Sequence, residues 1–377
     1  MTRAAYDAVV IGAGIVGAAC ASELAGERLR TAIVEASMAG GGTTAAGMGH
    51  LVVMDDSPAQ FALSRYSLEL WNELRQELPA AVEFDRCGTI WVAADDDEMT
   101  LAHHKEDLYK AGGVKSEIID TGSLEEAEPH LRKGLAGGLL VEGDAVLYPP
   151  CAAGYLAAKA VRQGATMHKG KAAIEITGRR VKLADGSLIE GGIVVNAAGV
   201  FAPALTPDLP VRRRKGHLVI TDRYPGWARH QLVELGYLKS AHSETSDSVA
   251  FNLQPRMTGQ MLIGSSRQFG LEDSGVDDGI LHRMIRRACE YMPGLEMLSA
   301  IRVWTGFRPA SPDNLPFIGP WPGRENLYIA AGHEGLGITT ALGTARLLAD
   351  QILGRQSEIP AGPYLPARLG NEVRTGA

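Results

Sequence analysis

An α/β fold joined to an α+β portion is predicted from three features of the sequence. Residues 6–11, Tyr-Asp-Ala-Val-Val-Ile, read as a short buried strand. Gly12-Ala13-Gly14-Ile15-Val16-Gly17 follows at once, then a helix-like run from Ala18 to Gly26 and a second strand, Leu29 to Val34, that ends on Glu35. A second unit of the same logic lies near the end of the chain: a strand from Leu327 to Ala331, a glycine-rich turn from Gly332 to Thr339, and a helix from Thr340 to Leu353. Between these units, over roughly 85–147 and 213–301, short alternating strands replace the strand-turn-helix pattern.

Each part of the first unit has a physical task. Gly12 permits the tight turn, Gly14 lets a pyrophosphate approach the backbone, and Gly17 lets the helix pack on the strand. The N–H groups of Ile15 and Val16 open the helix toward phosphate. Glu35, followed by Ala36, lies about twenty residues past the glycines, where a carboxylate accepts hydrogen bonds from a ribose. The next loop, 36–54, is rich in small residues. Thr43, Thr44, Ala45, Gly47 and Met48 can close around a ligand, whereas a plain surface loop usually carries more charge. A helix is expected over 58–78 and another over 152–162, with Pro149-Pro150 at its start. The strand Ile193 to Asn196 ends on Ala197, Ala198 and Gly199, which allow ligand approach or, equally, tight packing of a strand end. In the last turn, Gly332, Gly335, Leu336, Gly337, Ile338 and Thr339 bring a helix N-terminus back toward the same ligand. Three such turns suit FAD better than the smaller NAD.

Composition narrows the class. The 377 residues are 45% hydrophobic and 21% charged, which is ordinary for a globular chain of two domains. The net charge of −7, with no basic run beyond Arg212-Arg213-Arg214-Lys215, argues against a nucleic-acid partner. Cys20, Cys87, Cys151 and Cys289 are scattered and form no CxxC pair, so neither a metal site nor a disulfide framework is expected. The first apolar run is already the nucleotide strand, so no leader is read. No stretch has the ~18 apolar residues of a membrane span. A cytoplasmic location is expected, with peripheral membrane attachment through a complex left open.

These motifs together resemble the D-amino-acid oxidase/glycine oxidase family of FAD-dependent oxidoreductases. The resemblance covers nearly the whole chain. It rests on the GxGxxG with Glu35, the Gly/Thr-rich loop, the Val194-Val195-Asn196-Ala197-Ala198-Gly199 strand, and Gly306-Phe307-Arg308-Pro309 running on through Asp313 to Gly319. The turn Gly332-His333-Glu334-Gly335-Leu336-Gly337-Ile338-Thr339 is similar to that of β subunits of multi-subunit imino- and amino-acid dehydrogenases, D-hydroxyproline dehydrogenase foremost. The resemblance implies a Rossmann-like (GR2-type) FAD-binding domain assembled from 1–84, 148–212 and 302–377. An interleaved antiparallel-sheet substrate domain would come from 85–147 and 213–301. It further implies a small amino- or imino-acid substrate, hydride transfer from Cα to flavin N5, and partner subunits that pass electrons onward. A self-sufficient glycine, sarcosine or D-amino-acid oxidase is the competing enzyme; a non-catalytic FAD-binding subunit is the reading from another class.

The family's carboxylate-binding arginine maps to Arg308, for which an ion pair with Asp313 is the competing reading. A guanidinium meets a carboxylate with two parallel hydrogen bonds. Glycine oxidases carry an arginine in the last glycine turn, where this chain has Glu334. That carboxylate is expected to face the substrate nitrogen or, alternatively, to cap Gly337 or bond the flavin side. His333, in the flavin-facing turn, is a further catalytic candidate; His217 is more simply a locally satisfied histidine. The family's tyrosine before Pro255-Arg256 is missing from Phe251-Asn252-Leu253-Gln254, leaving Asn252 as the polar candidate. Trp304-Thr305-Gly306 offers no cysteine for covalent attachment, so FAD is expected to be noncovalent.

Overall fold

The computed structural model describes residues 5–236 and 247–370. Two large sheets organise it. The first runs in the order Phe317–Pro320, Leu327–Ala331, Leu188–Asn196, Tyr6–Ile11, Thr31–Glu35, Thr166–Lys169. Its four inner contacts are parallel, and only Phe317–Pro320 runs antiparallel to its neighbour. The inner strands Tyr6–Ile11 and Thr31–Glu35 are near-continuous apolar runs because helices cover both faces of a parallel sheet. The hairpin Ala173–Thr177/Arg180–Leu183 hangs from the start of Leu188–Asn196. The strand expected from residue 193 is therefore longer than its apolar part suggests.

The second sheet runs in the order Ala300–Ala310, Arg212–Thr221, Met261–Arg267, Ser248–Pro255, Gln231–Glu234, Thr89–Ala93, Gly137–Val141, Glu117–Asp120. It is antiparallel apart from the pairing of Gln231–Glu234 with Thr89–Ala93. The basic run Arg212–Lys215 opens its second strand. The strand Ala300–Ala310 lies alongside it over its whole length and runs through position 302, where a segment boundary was expected.

One face of this sheet is buried by the helix Asp278–Tyr291, whose N-terminus is capped by the Asp277 side chain. Ile90, Val92, Leu232, Phe251, Leu253 and Met284 form that core, and the Phe251 and Tyr291 rings stack 4.7 Å apart. Such a ring pair adds about 1 kcal/mol to the area it buries. Side chains alternate along a strand, so Trp91, Gln231, Asn252, Gln254, Gly216 and Arg214 lie on the opposite face. That face is turned toward the loop after Glu35 and the first sheet.

Candidate active site

The nucleotide turn is built by close approach. Gly12 has φ +100°, and a Cβ there would stand 2.6 Å from the Ala197 carbonyl oxygen. A Cβ on Gly17 would stand 2.1 Å from the Gly12 oxygen. The helix Ile15–Gly26 is capped by Gly14, which has no side chain to offer its first turn. The Ile15 N–H donates to Thr44 Oγ1 at 3.0 Å, which ties the small-residue loop to this helix start. Glu35 accepts from the Ala13 N–H at 2.7 Å and the Ser37 N–H at 2.8 Å. Its carboxylate is thus held at the lip of the turn, beside the exposed Ala36. A glycine cradle, a helix N-terminus whose cap residue is glycine and a fixed carboxylate fit a dinucleotide pyrophosphate and ribose.

The loop 43–48 is sandwiched between this turn and the second sheet. Thr43 Oγ1 donates to the Phe307 oxygen at 2.9 Å, and Trp304 Nε1 donates to the Ala46 oxygen at 3.3 Å. A Cβ on Gly306 would stand 2.3 Å from the Ala46 Cβ, which leaves glycine there. The Met48 sulfur and the Leu218 side chain both lie against Gly264. The last turn meets the same loop. Ile338 Cδ1 packs on Gly47, and Thr339 Oγ1 donates to the His50 oxygen at 2.8 Å. Gly337 abuts both Val16 and His333. The turns around Gly12–Gly17, Ala197–Gly199 and Gly332–Thr339 therefore meet in one place, joined by Thr44 and Gly47 of the small-residue loop, while Ala45 is exposed. Ala198 and Gly199 begin the short turn after the strand ending at Asn196.

Arg308 stands on the sheet face above this junction. Its guanidinium lies over Gly216, where a Cβ would come within 2.5 Å of Nη1 and 2.9 Å of Cζ. Nη1 donates to the Ser266 oxygen at 2.9 Å, and Gly335 approaches the Arg308 Nε edge. Asp313 is paired with Arg368 instead, at 2.7 Å. Replacing Gly216 with alanine is expected to push the guanidinium aside and lower kcat/KM by about 100-fold, with flavin content unchanged. Steady-state kinetics on purified protein with its absorbance ratio recorded checks this.

Glu334, at φ +49°, enters the same cluster from the last turn. Its Oε1 pairs with Arg214 Nη1 at 3.2 Å and lies 3.9 Å from Arg267 Nε. Its Oε2 accepts from the Gly335 N–H. Burial raises the carboxyl's pKa, but Arg267, Arg308 and Arg214 outweigh it and hold it below the usual glutamate value. Both oxygens are thus committed to the protein, Oε1 to arginine and Oε2 to its own turn. His333 is buried, with Nε2 3.0 Å from Thr344 Oγ1 in the C-terminal helix Ala341–Leu353. Burial pushes its imidazole down to about 3, so it is neutral and props the turn. His217 bonds Ser266 Oγ at 3.0 Å and accepts from the Asp277 N–H, on the face away from Arg308. Asn252 shares the face of Arg308, and its Oδ1 is buried without a protein partner among the described residues. Arg267 was missed from sequence, and Arg214 was read only as part of the basic run Arg212-Arg213-Arg214-Lys215, at a strand edge or an anion-binding surface. The basic run opens a strand antiparallel to the Arg308 strand, and Arg214 faces Arg308 directly.

A strand–glycine–helix nucleotide cradle beneath an arginine-bearing sheet defines a dinucleotide-dependent protein with an anion site at the reactive end. The chain belongs to the family described as DAO, FAD dependent oxidoreductase, whose profile matches residues 7–351. FAD is accordingly its cofactor, and the glycine cradle fits it. The chain is 26% identical over 375 residues to a glycine oxidase of Geobacillus kaustophilus, covering 95% of this chain and 96% of that protein. It is 30% identical over 324 residues to a D-amino acid dehydrogenase of Xanthobacter autotrophicus, covering 81% and 73%. Among solved structures, it superposes on L-proline dehydrogenase from P. horikoshii with a TM-score of 0.87 at 25% identity, covering 97% and 98% of the two chains.

Proposed function

We propose that this protein oxidises a small amino or imino acid, with a proline-like ring amine such as D-hydroxyproline as its substrate, as the catalytic subunit of a dehydrogenase complex. The observation that carries this reading is the Arg308 guanidinium, laid over Gly216 above the junction of the three glycine turns. FAD, held noncovalently by those turns, supplies the two-electron acceptor. Arg308 anchors the substrate carboxylate in a forked pair. Glu334 spaces Arg214, Arg267 and Arg308, whose mutual repulsion it offsets. Asn252 offers a carbonyl oxygen to the amine. His333 holds the shape of the turn. Proximity and alignment supply much of the acceleration.

The two sheets support a division of labour. The segments 1–84, 148–212 and 302–377 would form the FAD-binding domain, with 85–147 and 213–301 forming the substrate domain. The strand Ala300–Ala310 crosses that boundary: it lies in the second sheet and carries Arg308 toward the cofactor turns. A role within a complex is supported by a relative named hydrogen cyanide synthase subunit HcnC, from Pseudomonas aeruginosa, at 27% identity over 423 residues. Among the described residues no helix is long and apolar enough to cross a membrane. A cytoplasmic location, with any membrane contact made through the complex, is part of the proposal. The glycine oxidase relatives favour a second reading, a stand-alone oxidase that reduces oxygen.

Anaerobic mixing with D- and L-proline, the hydroxyprolines, glycine and sarcosine tests both. Bleaching of the flavin by a hydroxyproline or proline, with slow peroxide formation in air, is the expected result. Bleaching by glycine alone with rapid peroxide formation would establish the second reading. A flavin that none of them bleaches would remove both.

A further inference from the structure

The chemistry above leaves a row of buried polar groups unused. On the face of the second sheet that carries Arg308, Thr89 stands opposite Gln231. The pairing of Leu232 with Leu253 then puts Gln254 next in line on the adjoining strand. Neighbouring strands lie about 4.8 Å apart, so the three side chains are in reach of one another. Gln231 and Gln254 are 1% exposed, and Thr89 is fully buried. Both polar atoms of Gln231, the Gln254 Oε1 and the Asn252 Oδ1 have no protein partner among the described residues.

The two ends of the row are distinct. At one end Gln254 Nε2 approaches Gly49, in the loop that packs on the last turn, and Asn252 pairs with Gly264, which Met48 touches. At the other end Thr89 lies against Asp144. Asp144 is fully buried. Its Oδ1 accepts from the Val53 N–H at 3.3 Å, and its Oδ2 has no protein partner among the described residues. Buried amides and a buried carboxyl in such number are satisfied in proteins by ordered water.

We propose that this row binds a file of ordered water between the substrate site and Asp144, and that Asp144 is the acceptor of the proton the substrate amine must lose. This rests on the amine-oxidation reading. The cationic amine breaks one N–H bond and keeps the electron pair. The proton joins the nearest water, each water hands on one of its own, and an O–H bond forms at Asp144. With FAD bound as the two-electron acceptor, the freed nitrogen pair would let the Cα–H bond give up its hydride, and Asp144, fully buried, would return its proton along the same waters when the substrate site opens to solvent between turnovers. Other titratable groups face Asp144. Lys105 of the helix Asp96–Ala111, bonded to Asp55 and stacked over Trp91, lowers its pKa. Tyr109 of that helix, and Asp85 and Cys87 before Thr89, share the same field. Burial dominates and brings the Asp144 carboxyl up to about 7, against which the Thr89 hydroxyl and the Val53 N–H act.

The test uses Asp144→Asn in the FAD-loaded protein. Its amide oxygen still accepts from Val53, so the local fold is kept. The expected result is anaerobic flavin reduction slowed at least about tenfold, with the ionisation near neutrality gone from its pH profile and the flavin spectrum intact. In infrared difference spectra of the wild type, a protonated-carboxyl band should grow as pH falls through neutrality, and the variant should lack it. Gln231→Leu, which puts apolar surface into the row, should slow reduction while keeping the band. Rates and pH profiles that superimpose across the three proteins, or a wild type with no such band, would overturn the relay. If no amine bleaches the wild-type flavin while the band is present, the reading of the reaction fails instead.

Discussion

Arg308→Leu is expected to reduce kcat/KM for the amino-acid substrate by about 30- to 4000-fold, from the roughly 2–5 kcal/mol lost when one partner of a buried charge pair is truncated. The size follows from geometry. The guanidinium is already fixed by the Ser266 oxygen and by the floor at Gly216, so little ordering entropy remains to be lost on binding. Its fork meets both carboxylate oxygens and so sets the direction of the Cα–H bond as well as the position of the molecule. Arg308→Lys keeps the charge but not the fork, and should fall between. Both variants should retain FAD, because the nucleotide turn is built from other residues. Rapid-mixing reduction kinetics decide the matter: a leucine variant with wild-type kcat/KM would remove Arg308 from the site.

Gly17→Ala should yield protein that is largely colourless as purified. A Cβ at this position would stand 2.1 Å from the Gly12 oxygen and 3.3 Å from the Ala197 Cβ. The near contact is backbone, so no rotamer change relieves it. The helix Ile15–Gly26 must lift off the first strand, at a cost of about 1–3 kcal/mol in packing. The lift also displaces the N–H groups that meet the pyrophosphate. Loss of FAD removes ligand linkage as well, which at saturating cofactor is worth about 3–4 kcal/mol. A melting temperature lowered in parallel with the absorbance of bound flavin is the expected pair of observations. A yellow Gly17→Ala protein of unchanged melting temperature would refute this account of the turn.

Residues whose role is stereochemical were the easiest to read from sequence. Gly12, Gly14 and Gly17 announce themselves because only a missing Cβ satisfies their positions, and Glu35 follows at a set distance. The strand Leu327–Ala331 falls on its expected residues. Short, mixed-polarity strands were harder. Gln231–Glu234 and Glu117–Asp120 carry no clean alternation, and their strand character comes from neighbours far along the chain. The role of Glu334 was harder still. A lone glutamate in a glycine turn says nothing of Arg214 and Arg267, which arrive from two strands of the other sheet. The polar row ending at Asp144 was invisible for the same reason: each member reads singly as an ordinary buried side chain.

The strand Leu188–Asn196 sits between Tyr6–Ile11 and Leu327–Ala331. During synthesis its outer edge has no hydrogen-bonding neighbour until some 130 further residues have left the ribosome. A nascent chain of this design carries a half-finished parallel sheet with an open apolar edge, the kind of surface that chaperones hold and that aggregates when unprotected. Heterologous yield should therefore respond more to slower translation and lower temperature than to added flavin, since the vitamin-derived ligand has nowhere to settle before the last strand docks.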